Sequence, residues 1–186
     1  EDYSFTIRKT IKPKLLWVRA FAEIYNPILA IKVLEELLTE YPDAELCMVG
    51  PEKDESFKEC LNYAESNKLP VKFTGKLSKP EWIDLSKEYD IFLNTTNVDN
   101  TPVSLIEAMA LGFPIISTNV GGIPYLLQDQ GTGLLVSPND KKAMLGAIKK
   151  LLQNTELTEN LSQNARYQSQ KFDWEIVKRQ WKEVLR

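Results

Sequence analysis

The sequence predicts an α/β protein with a doubly wound, Rossmann-like parallel sheet of about six strands. Short apolar segments alternate with segments whose apolar residues recur at helical spacing. The strand segments are apolar throughout, which is typical of parallel strands that crossover helices cover on both faces. We therefore expect ligands at the carboxyl ends of the strands. The predicted strands are Leu15–Val18, Leu46–Val49, Val71–Phe73, Ile91–Leu93, Ile115–Ser117 and Leu134–Val136.

Capping and turn residues mark the predicted helices between these strands. Ser78 and Glu81 have the spacing of a capping box, and Gly112 suits the left-handed residue that ends a helix. Gly121-Gly122 marks a turn whose backbone is expected to run against a ligand. The helices are predicted from Asn26-Pro27 to Tyr41, over Phe57–Ala64, from Ser78 through Leu85, over Pro102–Leu111, and from Asn139 or Asp140 through Leu152.

The C-terminal segment predicts an amphipathic helix capped by Asp173. Its apolar residues follow spacings of three, four and three, with basic residues alongside: Trp174, Val177, Trp181 and Val184. From the residues alone we favour packing on this domain, and packing on a neighbouring domain is the alternative. The basic residues beside Trp181 also permit a peripheral contact with a membrane surface.

Composition excludes several classes of function. A net charge of −3 and a pI near 5.2 argue against a general nucleic-acid surface. The absence of histidine excludes Ser-His triads and histidine-based metal sites within these residues. No apolar run reaches membrane-spanning length, and the first residues lack the apolar core of a signal peptide. Cys47 and Cys60 are interpreted as buried thiols, and we expect a cytoplasmic protein.

The segment from Asn94 to Gly122 is the most informative part of the chain. Thr101 is predicted as an N-cap and Pro102 as the first helical residue after a buried strand. The amides of residues 103–105, Val103, Ser104 and Leu105, together with the helix dipole, then favour a phosphate or diphosphate.

Glu107 interrupts the apolar run of residues 105–111. A carboxylate in apolar surroundings needs donors, and a ribose diol would supply two hydroxyls. The alternative is that this position simply turns toward solvent.

These segments resemble the C-terminal, nucleotide-sugar-binding half of retaining group 1 glycosyltransferases, which have two facing Rossmann-like domains in the GT-B arrangement. The resemblance spans residues 14 to 185. It rests first on the segments LLWVRAF, AELCMVG and VKFTGKLS. It rests also on a motif in which an acidic residue is followed, after seven residues, by Glu-Ala and then by Gly-x-Pro. In this chain the acidic residue is Asp99, the glutamate is Glu107 and Gly-x-Pro is GFP. Gly-Gly-x-Pro follows as GGIP, and FDWEIVKRQWKEVL resembles the family's last helix.

The resemblance implies a role for each site residue. Glu107 would bind the ribose, and Arg19 and the helix start at Thr101-Pro102 would hold the diphosphate through the backbone near Val103 and Ser104. Lys76 and Leu77 would lie beside the base and contact it through the main chain. Asp99 would orient the transferred sugar or stabilise its oxocarbenium-like carbon. The alternative for Asp99 and Asn100 is ordinary turn chemistry.

Two positions depart from the family pattern. Asp99 stands where the family usually has Glu and is one methylene shorter. Asn26 lies where the family commonly has a second cation, a lysine, on the diphosphate. A charged hydrogen bond contributes about 1.5–3 kcal/mol against about 1 kcal/mol for a neutral one, so this loss weakens the site unless Lys14 or another domain compensates.

The resemblance therefore implies a hexosyltransferase-type enzyme whose donor substrate is a nucleoside-diphosphate sugar, with no cofactor. No Asp-x-Asp sequence occurs, so Arg19 and the helix start would make the reaction metal-independent. We expect one donor domain over 1–186, with a lead-in segment over 1–13 and a helix over 172–186 that packs on an N-terminal acceptor domain.

Because the chain begins with Glu, we expect a truncated donor domain that turns over little alone. A noncatalytic nucleotide-sugar-binding module and a flavodoxin-like interaction domain are the alternatives.

Overall fold

The computed structural model describes residues 3–185, so residues 1, 2 and 186 of the predicted domain lie outside the described range. All six predicted strands are present and every strand pair is parallel, in the order β3-β2-β1-β4-β5-β6. The doubly wound sheet is therefore confirmed. The strands are β1 (Lys14–Val18), β2 (Glu45–Val49), β3 (Val71–Gly75), β4 (Ile91–Asn94), β5 (Ile115–Thr118) and β6 (Leu134–Val136).

The winding direction of the sheet reverses between β1 and β4. The chain moves outward from β1 through β2 to β3, then returns to β4, which pairs with β1 through Leu15, Leu16 and Trp17. Open α/β sheets bind ligands in the crevice at such a switch point, outside the carboxyl ends of the strands. Arg19 follows β1 and the 95–102 loop follows β4, so both border this crevice.

Helices cover both faces of the sheet. The predicted capping box is confirmed, because the Ser78 N–H donates to Glu81 Oε2 at 2.7 Å. Asp140 caps α6 by accepting from the Ala143 N–H at 2.8 Å. The helices are α1 (Pro27–Leu37), α2 (Ser56–Ser66), α3 (Lys79–Leu85), α4 (Val103–Leu111), α5 (Ile123–Leu126), α6 (Lys141–Gln153), α7 (Thr155–Ser169) and α8 (Trp174–Val184).

Alternate residues of the central strands enter separate cores on the two faces. Leu15 and Trp17 of β1 pack on the face that α1 and α6 cover, whereas Leu16 packs on the face that α4 covers. Cys47 and Cys60 lie in opposite cores, and both are buried and unbridged, as predicted. Burial raises the pKa of Cys60 to about 12, so its thiol stays protonated.

The segment from residue 3 to residue 13 lies against the domain without helix or strand. The buried guanidinium of Arg8 donates to the carbonyls of Tyr89 at 3.0 Å and Leu111 at 3.1 Å. Its Cζ also lies 3.6 Å from the centroid of the Phe113 ring. Gly112 ends α4 in the left-handed conformation, as predicted, with φ 81°. The predicted lead-in segment is thus attached to the carboxyl end of α4.

Helix α8 begins as predicted, because the Asp173 carboxylate accepts from the Glu175 N–H at 2.9 Å. Its apolar seam is largely exposed, with Trp174 at 66% and Trp181 at 59%. The favoured interpretation, packing of this seam on the same domain, is therefore wrong for both tryptophans. Among residues 3–185, every helix is too short or too polar to span a lipid bilayer.

Candidate active site

Arg19 and Asp99, the two predicted catalytic residues, form an ion pair at the switch point. Arg19 Nη2 contacts Asp99 Oδ2, and the two side chains are only 19% and 9% exposed. The Arg19 N–H donates to the Val49 carbonyl at 3.0 Å. A Cβ on Gly50 would lie 1.7 Å from the Arg19 carbonyl oxygen, so only glycine permits this approach. The structure thus brings together two residues that the sequence places 80 positions apart.

The loop that carries Asp99 packs on the Gly121-Gly122 turn. The Gly122 N–H donates to the Asp99 carbonyl at 2.9 Å, and a Cβ on Gly121 would lie 2.0 Å from that oxygen. The turn therefore packs against this loop, whereas its approach to a ligand stays a prediction. Asp99 Oδ1 accepts from the Asn100 N–H at 2.9 Å. The side chain thus makes the turn contact that the alternative interpretation anticipated, while its other oxygen binds Arg19.

Helix α4 begins one residue later than predicted. Pro102 has extended backbone angles, φ −66° and ψ 116°, and is itself the N-cap, so the predicted N-cap at Thr101 is wrong. The Pro102 carbonyl accepts from the Leu105 N–H at 3.0 Å, so Leu105 does not supply a third phosphate-binding amide. Val103 and Ser104 are the first two helical residues, whose amides have no partner within a helix. Two of the three expected amides remain at the helix start.

Glu107 faces inward and has partners that the sequence did not suggest. Its side chain is 13% exposed, so the alternative that it turns to solvent is wrong. The Tyr3 hydroxyl donates to Glu107 Oε1 at 2.6 Å, and Lys79 Nζ lies 3.3 Å from the same oxygen. Burial, together with the hydrogen bond to Glu107, raises the pKa of Tyr3 to about 12. The same group of residues raises the pKa of Lys79, most strongly through Tyr3. Glu107 therefore binds a hydroxyl and a cation.

Two cavities flank the first turn of α4. The smaller, about 270 Å³, is lined by residues from the ends of β1, β2 and β3 and from α4, among them Arg19, Tyr25, Lys76, Leu77 and Ser104. The larger, about 970 Å³, is lined by Val103 and Glu107 of α4, by the junction of α7 and α8, and by Tyr3 and Lys79. Arg19, Lys76, Leu77 and Ser104 therefore border the smaller cavity, whereas Val103 and Glu107 border the larger one.

Asn26 and Lys14 do not join this arrangement. Asn26 adopts a left-handed conformation, φ 46°, and its amide donates to Asn139 Oδ1 at 2.8 Å. Lys14 pairs with Glu45 at 2.8 Å, at the amino ends of β1 and β2. Because these ends lie at the opposite edge of the sheet from Arg19, the expectation that Lys14 compensates for the missing lysine is wrong. Lys76 is the lysine that borders the smaller cavity.

The described part of the chain, residues 3–185, contains no group of three or more Cys, Asp or Glu side chains arranged to hold a metal ion. The positive charge at the smaller cavity comes from Arg19 and Lys76, and from the start of α4. Arginine and helix amides together are suited to bind phosphate oxygens.

The family model described as "Glycosyl transferases group 1" matches residues 3–168. The chain belongs to this family. Among curated proteins it is 27% identical over 148 residues to sulfoquinovosyl transferase SQD2 of Arabidopsis thaliana. That alignment covers 78% of this chain but 28% of the plant protein, so the chain spans less than a third of that relative's length.

Several solved structures share the fold. The Anabaena protein HepE, crystallised in complex with UDP and glucose, superposes with a TM-score of 0.82 at 22% identity, over 92% of this chain and 47% of HepE. The C-terminal domain of the LpcC glycosyltransferase of Francisella tularensis superposes with a TM-score of 0.76 at 18% identity, and 87% of each chain is covered. The group 1 chain therefore has the size and fold of a GT-B C-terminal domain.

Proposed function

We propose that this chain binds a nucleoside-diphosphate sugar and forms the donor half of a retaining, metal-independent hexosyltransferase. The observation that carries the proposal is the position of Arg19 and Ser104, which border one cavity at the switch point of the sheet. The crystal structure of the similar protein HepE, which contains UDP and glucose, supports the same class of ligand.

Each part of the donor has a place in this arrangement. The diphosphate lies between the Arg19 guanidinium and the amides of Val103 and Ser104. The base lies against the main chain of Lys76 and Leu77, which follow β3. A ribose hydroxyl replaces the Tyr3 hydroxyl on Glu107. Thr101 and Pro102 shape the helix start, whereas the side chain of Asn26 takes no part because it already donates to Asn139.

The mechanism is electrostatic. Departure of the nucleoside diphosphate develops negative charge, which Arg19 and the positive end of α4 stabilise without a metal ion. Asp99 leaves Arg19 when the diphosphate binds, and its carboxylate then orients sugar hydroxyls or stabilises the developing oxocarbenium-like carbon. The packing of its loop against Gly121 and Gly122 supports this role, because it fixes the backbone of the shorter aspartate.

The acceptor belongs to an N-terminal domain on which the exposed seam of α8 packs. This chain alone therefore binds the donor but transfers little sugar. The product is a polysaccharide or glycolipid made on the cytoplasmic side, and the basic residues beside Trp181 add a peripheral membrane contact.

Calorimetric titration tests the proposal with the diphosphates of uridine, guanosine and adenosine and with their sugars. We expect one base to bind, and Glu107→Gln to weaken binding about tenfold, because a neutral amide replaces a charged acceptor of ribose hydroxyls. Glu156→Gln, which makes the same change at an exposed residue of α7, should bind like the wild type. If no nucleotide binds the wild-type chain, the proposal is refuted and the interaction-domain alternative is favoured.

A second assay separates an enzyme from a noncatalytic module. When the N-terminal half is supplied, we expect transfer to an acceptor that depends on Asp99. Nucleotide binding without transfer under those conditions would favour the noncatalytic module.

A further inference from the structure

The contacts of the Arg19 guanidinium with the described residues use only part of its hydrogen-bonding capacity. Asp99 Oδ2 binds Nη2, whereas Nε is buried and has no hydrogen-bond partner among the described residues. Nε and Nη2 form one edge of the guanidinium, and a carboxylate can accept from both when it binds side-on. Asp99 does not do so, because its Oδ1 accepts from Asn100 at 2.9 Å. A phosphate group offers oxygens for both donors and so has an advantage over Asp99.

The ring of Tyr25 also contacts the Arg19 guanidinium. Arg19 Cζ lies 4.3 Å from the centroid of the Tyr25 ring, within the range of a cation–π contact. The ring also borders the smaller cavity together with Arg19. Because the guanidinium lies over the face of the ring, the contact does not use the phenol hydroxyl and leaves the Nε–Nη2 edge for a ligand.

The backbone of Tyr25 is fixed to the centre of the sheet. The Tyr25 carbonyl accepts from Thr95 Oγ1 at 2.9 Å, and Thr95 in turn accepts from Trp17 Nε1 at 3.0 Å. Thr95 and Trp17 are both buried, and they belong to the loop after β4 and to β1. These hydrogen bonds therefore attach the residue that carries the ring to β1 and to the loop after β4, at the switch point of the sheet.

We propose that Tyr25 is a positioning residue of the donor site, whose ring holds the Nε–Nη2 edge of Arg19 in place when a diphosphate replaces Asp99. This inference rests on the proposed function. When Asp99 turns to the sugar, the ring is the contact that keeps the long arginine side chain from rotating away. Holding the side chain in place reduces the conformational entropy lost on binding.

The test compares Tyr25→Phe with Tyr25→Leu. Phenylalanine keeps the ring face and leucine removes it, while both retain an apolar side chain against the core. We expect Tyr25→Phe to bind UDP, or the diphosphate that the base screen selects, within about twofold of the wild type, and Tyr25→Leu to bind about three- to tenfold more weakly. Thermal melting of each variant establishes that it is folded.

The second readout is the ¹⁵Nε resonance of Arg19 in the nucleotide complex. We expect a sharp, slowly exchanging signal in the wild type and in Tyr25→Phe, and a broadened or averaged signal in Tyr25→Leu. A structural role alone would not separate Phe from Leu in this measurement.

The outcomes distinguish this inference from the proposed function. If the wild type binds no nucleotide, the proposed function fails and the inference fails with it. If the wild type binds and Glu107→Gln weakens binding, but Tyr25→Leu binds as tightly as the wild type with an unchanged Arg19 signal, only the inference is overturned. Equal losses in the Phe and Leu variants would assign the effect to the hydroxyl and also overturn it.

Discussion

Replacing Asp99 with asparagine is expected to tighten the binding of a nucleoside diphosphate, although Asp99 belongs to the proposed site. In the wild type, a diphosphate must displace the Asp99 carboxylate from Arg19, and the free energy of that ion pair opposes binding. Asparagine preserves an oxygen that accepts from Asn100 but removes the charge that competes for Arg19. In Asp99→Asn, the diphosphate therefore displaces a weaker contact from Arg19.

The exposure of the two side chains sets the size of the effect. At 19% and 9% exposed, the Arg19–Asp99 pair is largely shielded from water, so it is not a surface ion pair of negligible strength. A charged hydrogen bond contributes about 1.5–3 kcal/mol and a neutral one about 1 kcal/mol, which leaves a difference of about 0.5–2 kcal/mol. This corresponds to a dissociation constant about 2- to 30-fold lower in Asp99→Asn.

Isothermal titration with UDP, or with the nucleoside diphosphate that the base screen selects, measures this change in the dissociation constant directly. Asp43→Asn makes the same charge change at an exposed turn before β2 and should leave the dissociation constant unchanged. The same Asp99→Asn variant should lose sugar transfer when the N-terminal half is supplied. Weaker or unchanged diphosphate binding in Asp99→Asn would refute the idea that Asp99 and the phosphate compete for Arg19.

Two further predictions concern stability. Gly122→Ala places a Cβ 2.0 Å from the Asn100 carbonyl oxygen, so the Asp99 loop must move and we expect a loss of about 1–3 kcal/mol in a denaturant titration. Gly146→Ala, where a Cβ on α6 meets no atom within 4 Å, should instead stabilise by about 0.5–1 kcal/mol, and equal destabilisation of both variants would contradict the packing described. Burial raises the pKa of Cys60 from 9.0 in the unfolded reference to about 12, so the folded state keeps the thiol proton to a higher pH than the unfolded state does. The contribution of this thiol to the free energy of unfolding is therefore lost as the pH rises through that interval. Stability measured from pH 9 upward should therefore fall less steeply in Cys60→Ala than in the wild type, and parallel profiles would show that this thiol does not contribute.

The strands and most helices could be predicted because their signals are local. Six apolar runs, the capping box at Ser78 and the left-handed residue at Gly112 each depend on neighbouring residues in the sequence. The predicted helices do not include α7, although the Asn154 carboxamide caps it by accepting from the Leu157 N–H at 2.9 Å. Leu157, Leu161 and Ala165 also recur every four residues, so the signal was present. The predicted N-cap of α4 lies one residue before the observed one, because sequence alone does not fix the ψ angle of Pro102.

The contacts within the site could not be predicted in the same way. Arg19 and Asp99 follow strands that are neighbours only in the folded sheet, and no local pattern specifies that β1 pairs with β4. The partners of Glu107 are equally remote, since Tyr3 is 104 residues away and Lys79 begins another helix. The family resemblance named the residues that would contact the donor, whereas the structure identifies which of them are engaged with one another.

The position of a bound nucleoside diphosphate tests the central claim most directly. A crystal structure of the chain saturated with the nucleoside diphosphate that calorimetry selects would reveal this position. We predict phosphate oxygens on Arg19 Nε and Nη2 and on the amides of Val103 and Ser104, with Asp99 released and a ribose hydroxyl on Glu107 in place of Tyr3. A nucleotide bound elsewhere, with the Arg19–Asp99 and Tyr3–Glu107 contacts intact, would contradict the account.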